Sequence, residues 1–246
     1  MLLMLLRFPL AVAFALCFTA FAKGQHYPAT YTTLEPPHAV SSAAYGISAN
    51  GTIVGEFEIE GIHFPHIHSF TMSPAGEYSI FDIPFGISTY AYKINNYGST
   101  VGGYSVQIAG AEHEFARLGT GKVEYYDPPR ALVTKTRFVW INNHNQVSGD
   151  QTDSLGVTHG FVSDFLGPLT LFDVPGSSDT FGGVINDSGE IAGQDFLSTD
   201  RAFHAYLRDS FGIITLVDVP GAGNDAAEGT YITAVRLKFR EAILTL

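Results

Sequence analysis

Phe172-Asp173-Val174-Pro175-Gly176, preceded by His159-Gly160-Phe161, decides how this chain is read, because variants of the pair return four times at nearly constant spacing. Asp82, Asp127, Asp173 and Asp218 lie 45, 46 and 45 residues apart, and two residues after each stands Pro84, Pro129, Pro175 or Pro220. Fourteen residues before each Asp is a His: His68, His113, His159 and His204. Each is followed at the second position by an aromatic, Phe70, Phe115, Phe161 or Tyr206. A period of this length points to a propeller or a stacked array, in which one small unit recurs and buries its apolar faces on its neighbours.

A second register runs through the other half of each unit at Ile47, Ile94, Ile141, Ile185 and Ile232, at intervals of 47, 47, 44 and 47. After the first four comes a turn sequence such as Asn95-Asn96-Tyr97-Gly98 or Asn186-Asp187-Ser188-Gly189, with Gly or Asn four residues past the Ile. Gly and Asn tolerate positive φ, and an Asn side chain can bond backbone two residues on, so these are hairpin turns. Asn50-Gly51-Thr52 and Asn186-Asp187-Ser188 match glycosylation acceptors, but the recurring turn accounts for both. Gly55, Gly102, Gly149 and Gly193 recur eight residues after the Ile, inside the next strand, where a glycine signals a bulge or a close backbone approach.

Between these landmarks, Ala43 to Ile47, Thr52 to Ile59, Ser69 to Ser73 and Tyr78 to Ile83 are short, rich in β-branched and aromatic residues, and bounded by Gly, Pro or Asn. No stretch of ten or more residues has a convincing helical apolar period. The expected fold is all-β: a propeller-like array of four-stranded units of about 46 residues, four complete and a fifth partial. The units fall at about 38–83, 84–128, 129–174 and 175–219, with 220–246 and 31–35 sharing the fifth. In that fifth unit Tyr31 to Glu35 is an orphan last strand, since Glu35 stands 47 residues before Asp82. Arg236 to Leu246 replaces the usual turn, and either closes the ring with Tyr31 to Glu35 or is the altered end of a longer array.

Residues 1–22 read as a secretory signal, with Arg7 as the only charge, an apolar core from Phe8 to Phe21 and small residues at Ala20 and Ala22. The apolar run after Arg7 falls short of the roughly 20 residues that span hydrocarbon, so a retained membrane helix is the weaker reading. The mature domain is expected over 23–246, outside the cell or in the periplasm. Cys17 is the only cysteine and would leave with the signal, so burial alone must hold the domain, which a chain of this size can achieve. Loss of Arg7 takes the formal charge from -11 to -12, with 12 basic against 24 acidic residues. Nucleic acid and anionic membrane are therefore excluded as natural partners.

Ile185-Asn186-Asp187-Ser188-Gly189-Glu190-Ile191-Ala192-Gly193, taken with His159-Gly160-Phe161 and Phe172-Asp173-Val174-Pro175-Gly176, resembles the extracellular HAF repeat family. The resemblance runs from about Tyr31 to Val235. It implies an exported bacterial repeat protein without a defined activity, and it supplies no catalytic residues. The chain departs from the family pattern at Ser148, where an aliphatic is usual, at Tyr206, and throughout its C-terminal tail.

The repeated histidines and aspartates invite a catalytic or metal reading. Their recurrence in every unit favours a structural one, a hydrogen bond pairing His68 with Asp82, His113 with Asp127, His159 with Asp173 and His204 with Asp218. Function is better sought where the units differ. His63, His66 and His68 form a non-repeated cluster able to hold a divalent metal, with the alternate carboxylates Glu56, Glu58 and Glu60 before it. No cofactor is otherwise implied. Tyr45 and Tyr92, two residues before the Ile, and Tyr90, Arg137 and Phe181, four before, would form with Trp140 an aromatic and charged mouth suited to a sugar ring if that strand lines a channel. Packing between blades is the plainer explanation of the same aromatics.

No nucleophile elbow, phosphate loop, dinucleotide fingerprint or zinc-protease helix occurs. The reading is a secreted, non-enzymatic repeat protein that binds carbohydrate or protein at the cell surface. One rival is a polysaccharide hydrolase or lyase using carboxylates such as Glu58, Glu112 or Asp150, which would have to converge in one cleft at roughly 5 to 10 Å. Another is a fragment of a longer array.

Overall fold

The computed structural model describes residues 31–60, 67–106, 112–126, 133–165, 167–199 and 201–217. The chain divides into two compact units, Met1–Thr33 and Leu34–Leu246. Of the first, Tyr31, Thr32 and Thr33 are described, exposed and in no regular element.

The described residues hold sixteen strands and no helix. The first sheet is β1 (Ala39–Ile47), β2 (Ile53–Ile59), β3 (Ile67–Met72) and β4 (Tyr78–Phe81). The second is β5 (Ser88–Ile94), β6 (Thr100–Ser105), β7 (Glu112–Arg117) and β8 (Val123–Tyr126). The third is β9 (Val133–Ile141), β10 (Gln146–Asp153), β11 (Thr158–Asp164) and β12 (Thr170–Phe172), and the fourth β13 (Asp179–Ile185), β14 (Ile191–Leu197), β15 (Ala202–Arg208) and β16 (Ile214–Val217). Each sheet is an antiparallel meander in chain order. The all-β class and the four four-stranded units match the sequence reading. Tyr31 to Glu35, expected as a strand, forms none. Pro36 offers no N–H to a ladder and the Leu34 carbonyl accepts the Ser42 hydroxyl at 2.6 Å. Residues 220–246 lie outside the described residues.

The repeated landmarks have repeated causes. Gly51, Gly98 and Gly189 adopt positive φ, as does Asn145, and each donates its N–H to the residue three before it, at 3.0 to 3.1 Å. In strand two the recurrent glycines face the recurrent aromatics of strand three: Gly55 opposite Phe70, Gly102 opposite Phe115, Gly149 opposite Phe161 and Gly193 opposite Tyr206. On their other side the first strand bulges at Tyr45, Tyr92 and Val139, and at Gly182-Gly183. A Cβ on Gly102 would stand 1.8 Å from the Tyr90 carbonyl oxygen, and one on Gly149 would stand 2.1 Å from that of Arg137 and 2.5 Å from the Phe161 ring. The glycine thus makes room for both the bulge and the ring.

The core lies between consecutive sheets. Strand β5 packs on β1, β2 and β3, β9 on β5, β6 and β7, and β13 on β9, β10 and β11. Val54 of the first sheet meets Ala91, Ile94 and Phe115 of the second; Val101 of the second meets Phe138, Ile141 and Phe161 of the third. Val174 joins Ile185, Ile191 and Tyr206 of the fourth sheet, with Trp140 and Val162 of the third against them. Burying such side chains stabilises by about 1.5 to 3 kcal/mol each. Ile94, Ile141 and Ile185 are 8%, 3% and 2% exposed, whereas the equivalent Ile47 is 68% exposed.

The two departures at described positions have local explanations. Ser148 donates its hydroxyl to the Gly183 carbonyl of the next sheet at 2.6 Å, where an aliphatic could only pack. Tyr206 fills the place of Phe and donates its buried hydroxyl to the Phe181 carbonyl at 2.8 Å.

Candidate binding cleft

The first strand of each sheet is the element whose side chains differ most from unit to unit. Its bulge at Tyr45 and Tyr92 puts an extra residue into the strand, which re-aims the side chains just before the conserved turn. The Tyr45 ring meets Tyr92 edge-on at 5.9 Å, and Tyr92 stacks on Tyr90 at 6.4 Å. A cleft of about 460 Å³ opens beside them, lined by Tyr45, Ile47 and Ile53 of the first sheet, Lys93 and Ile94 of the second, and Trp140 of the third. That volume suits a small ligand.

Lys93 is the polar centre of this cleft. Its ammonium sits 5.0 Å from the centre of the Trp140 ring and donates to the Tyr45 carbonyl at 3.2 Å. Partial burial lowers its pKa. The Tyr45 hydroxyl donates to Glu56 at 2.8 Å, and that hydrogen bond, aided by burial and the carboxylate charge, raises the tyrosine pKa.

Of the residues singled out from the sequence, Tyr45 and Trp140 share this cleft, with Tyr92 and Tyr90 extending the aromatic row. Tyr92 and Arg137 line a second cleft of about 470 Å³ together with Glu114 and Thr136. There the guanidinium is engaged: Arg137 bonds one Asp150 oxygen through Nη2 at 2.6 Å and Nε at 3.2 Å, and the same oxygen accepts the Gly182 N–H. Phe181 packs against Phe203 at 5.8 Å and lines neither cleft. Lys93 was missed by the sequence reading. The position immediately before the recurrent Ile holds Gly46, Lys93, Trp140 and Val184, and that spread of chemistry is the signal that would have found it.

Two of the repeated His–Asp pairs link strand three to the end of strand four. His68 Nδ1 lies 2.9 Å from Asp82 and His159 Nδ1 2.8 Å from Asp173. The His113 ring stacks on Tyr104 at 5.2 Å. His204 is described on β15, while Asp127 and Asp218 lie outside the described residues. His159 Nε2 also faces Asp153 at 3.6 Å. Burial acts to lower its pKa, but Asp173 and Asp153 outweigh it and hold the value above the ordinary one. The Val157 N–H, joined by that of Leu155 and by His159, keeps the Asp153 carboxyl below its usual range against the opposing effect of burial.

His63 and His66 lie outside the described residues, and among the described residues no group of three His, Cys, Asp or Glu could hold a metal. No described helix is long and apolar enough to cross a membrane. No family model matches the chain, and no curated protein matches it.

Proposed function

We propose that this chain is a secreted, non-enzymatic β-propeller of the HAF repeat type that binds carbohydrate, with its four sheets as blades and the first strand of each facing a common axis. The observation that carries the reading is a division of labour within the repeat. The recurring residues are occupied in the architecture: Asn in turns, Gly under bulges, aromatics in the core, His on Asp. The non-recurring side chains of the first strands, Tyr45, Lys93 and Trp140, meet in one cleft. Exposed aromatic faces beside a few polar groups are how proteins hold the apolar face of a sugar ring. Two carboxylates that a hydrolase would draw on are engaged: Asp150 is neutralised by Arg137, and Glu58 accepts the Ser41 hydroxyl at 3.1 Å. This favours binding over hydrolysis.

The fifth unit belongs to the same proposal. Ile47 of β1 is exposed where its equivalents Ile94, Ile141 and Ile185 are buried, and Gly229 to Val235 carries the first-strand register that would follow the fourth sheet. The test of function is retention of purified Lys23 to Leu246 on a panel of polysaccharides and arrayed glycans. Binding to a defined sugar class, reduced tenfold or more in Trp140→Ala, is the expected outcome. Absence of binding to every sugar on the panel would contradict it.

A further inference from the structure

We infer that the cleft between Tyr45, Lys93 and Trp140 selects an acidic sugar, a uronic acid residue whose carboxylate meets the Lys93 ammonium while its ring lies on the aromatic faces. The inference rests on the carbohydrate reading above and narrows it to a charge class.

An ammonium has three N–H donors and no acceptor. In Lys93 one N–H is spent on the Tyr45 carbonyl, and the Trp140 ring offers its π face. Among the described residues no carboxylate forms an ion pair with it, although the chain carries nearly twice as many acidic as basic residues. The second cleft is lined by two cations, Arg137, which is already paired with Asp150, and Lys135, which is exposed. The remaining cation–ring contacts, Arg117 on Phe81 and Arg208 on Phe172, do not line the Lys93 cleft.

Nor does the repeat require a cation here, because the equivalent positions are Gly46, Trp140 and Val184. A half-buried charge with donors to spare and no counter-ion costs free energy in the empty site, and an anionic ligand offsets that cost where a neutral one does not. A donor for a carboxylate and a stacking surface for a ring are therefore presented together: Lys93 supplies the first, Trp140 and Tyr45 the second. The Glu56 carboxylate beside the cleft accepts the Tyr45 hydroxyl.

The experiment is isothermal titration of Lys23 to Leu246 with a uronic acid oligomer, an oligogalacturonate, and with the same oligomer fully methyl-esterified, which keeps the rings and removes the charge. The acid is expected to bind at least tenfold more tightly than the ester. Lys93→Met should abolish that preference, Lys93→Arg should keep it, and Trp140→Ala should weaken both ligands. Thermal unfolding of each variant reports whether it folds, and the Lys93→Arg protein carries the test if Lys93→Met does not. Equal binding of acid and ester, or preference unchanged in Lys93→Met, would overturn the charge selectivity and leave the carbohydrate reading standing. Binding of neither oligomer, with neutral glycans on the panel retained, would overturn the inference alone. Failure of every sugar would remove the reading beneath it.

Discussion

At the residue scale, some exceptions to the repeat are compensated locally, as at Ser148 and Tyr206, and others are not. The turn after the fourth strand needs a residue at positive φ. Gly176 supplies it in Pro175-Gly176, with φ of 88°, but Phe85 holds φ of 67° in Pro84-Phe85 and His38 holds 64° in Pro37-His38. A side chain in this region costs roughly 1 to 2 kcal/mol, and the Phe85 ring, 94% exposed, recovers none of it by burial. Phe85→Gly should therefore stabilise the domain by about 0.5 to 1 kcal/mol after the added entropy of an unfolded glycine, read as a higher urea midpoint. A lower midpoint would mean that the ring makes a contact in solution. His159 gives a pH prediction. Its pKa is higher in the folded state, so its contribution to stability is full below the unfolded histidine value of about 6.5 and is lost as pH rises through the folded value. Between about pH 6 and pH 8 the wild type should lose more stability than His159→Asn. Parallel losses would show that the Asp173 and Asp153 contacts do not hold the proton.

At the element scale, the hairpin turns form a hydrogen-bond ladder from sheet to sheet. Asn95 Nδ2 donates to the Asn142 carbonyl at 2.8 Å and Asn142 Nδ2 to that of Asn186 at 2.9 Å. One residue along, the N–H groups of Ala49, Asn96 and Asn143 donate to the side chains of Asn96, Asn143 and Asp187 at 2.7, 2.9 and 2.8 Å. Each of Asn95, Asn142 and Asn186 also accepts two N–H groups of its own turn. In Asn186 the amide donates instead to Glu190 of the same turn. Asn142→Ala should then cost about 2 to 4 kcal/mol, because it removes several partly buried hydrogen bonds on two sheets. Asn186→Ala should cost about 1 kcal/mol, and equal losses in denaturant unfolding would deny the ladder its role between sheets.

The turns were legible in sequence because Asn and Gly recur at fixed register, and Gly opposite an aromatic because both recur. The ladder was not, since nothing in one turn's letters says that its amide reaches the next turn. Strand ends shifted for similar reasons: β1 begins at Ala39, not Ala43, and β4 stops at Phe81, because the Ile83 N–H turns to the Thr89 hydroxyl. In the cleft, Tyr45 and Trp140 could be read from where units differ. Lys93 could not be read by looking for aromatics, because its meaning depends on a ring one sheet away.

At the scale of the whole molecule, three interfaces repeat the same packing: the first strand of one sheet lies on three strands of the sheet before it. Successive sheets that dock in one way are related by one repeated rotation, and a rotation that closes gives a ring. On the proposed propeller, the exposed Ile47 is where the first sheet would receive its predecessor. The cleft at Lys93 draws on three different sheets, and the proposed ring accounts for that by bringing their first strands together. The most direct measurement is a crystal structure of Lys23 to Leu246. The account predicts β1, β5, β9 and β13 innermost about a single axis, with Tyr45, Lys93 and Trp140 opening onto it and Gly229 to Val235 against Ile47. Sheets stacked along a line, with the first strands diverging and Lys93 and Trp140 apart, would contradict it.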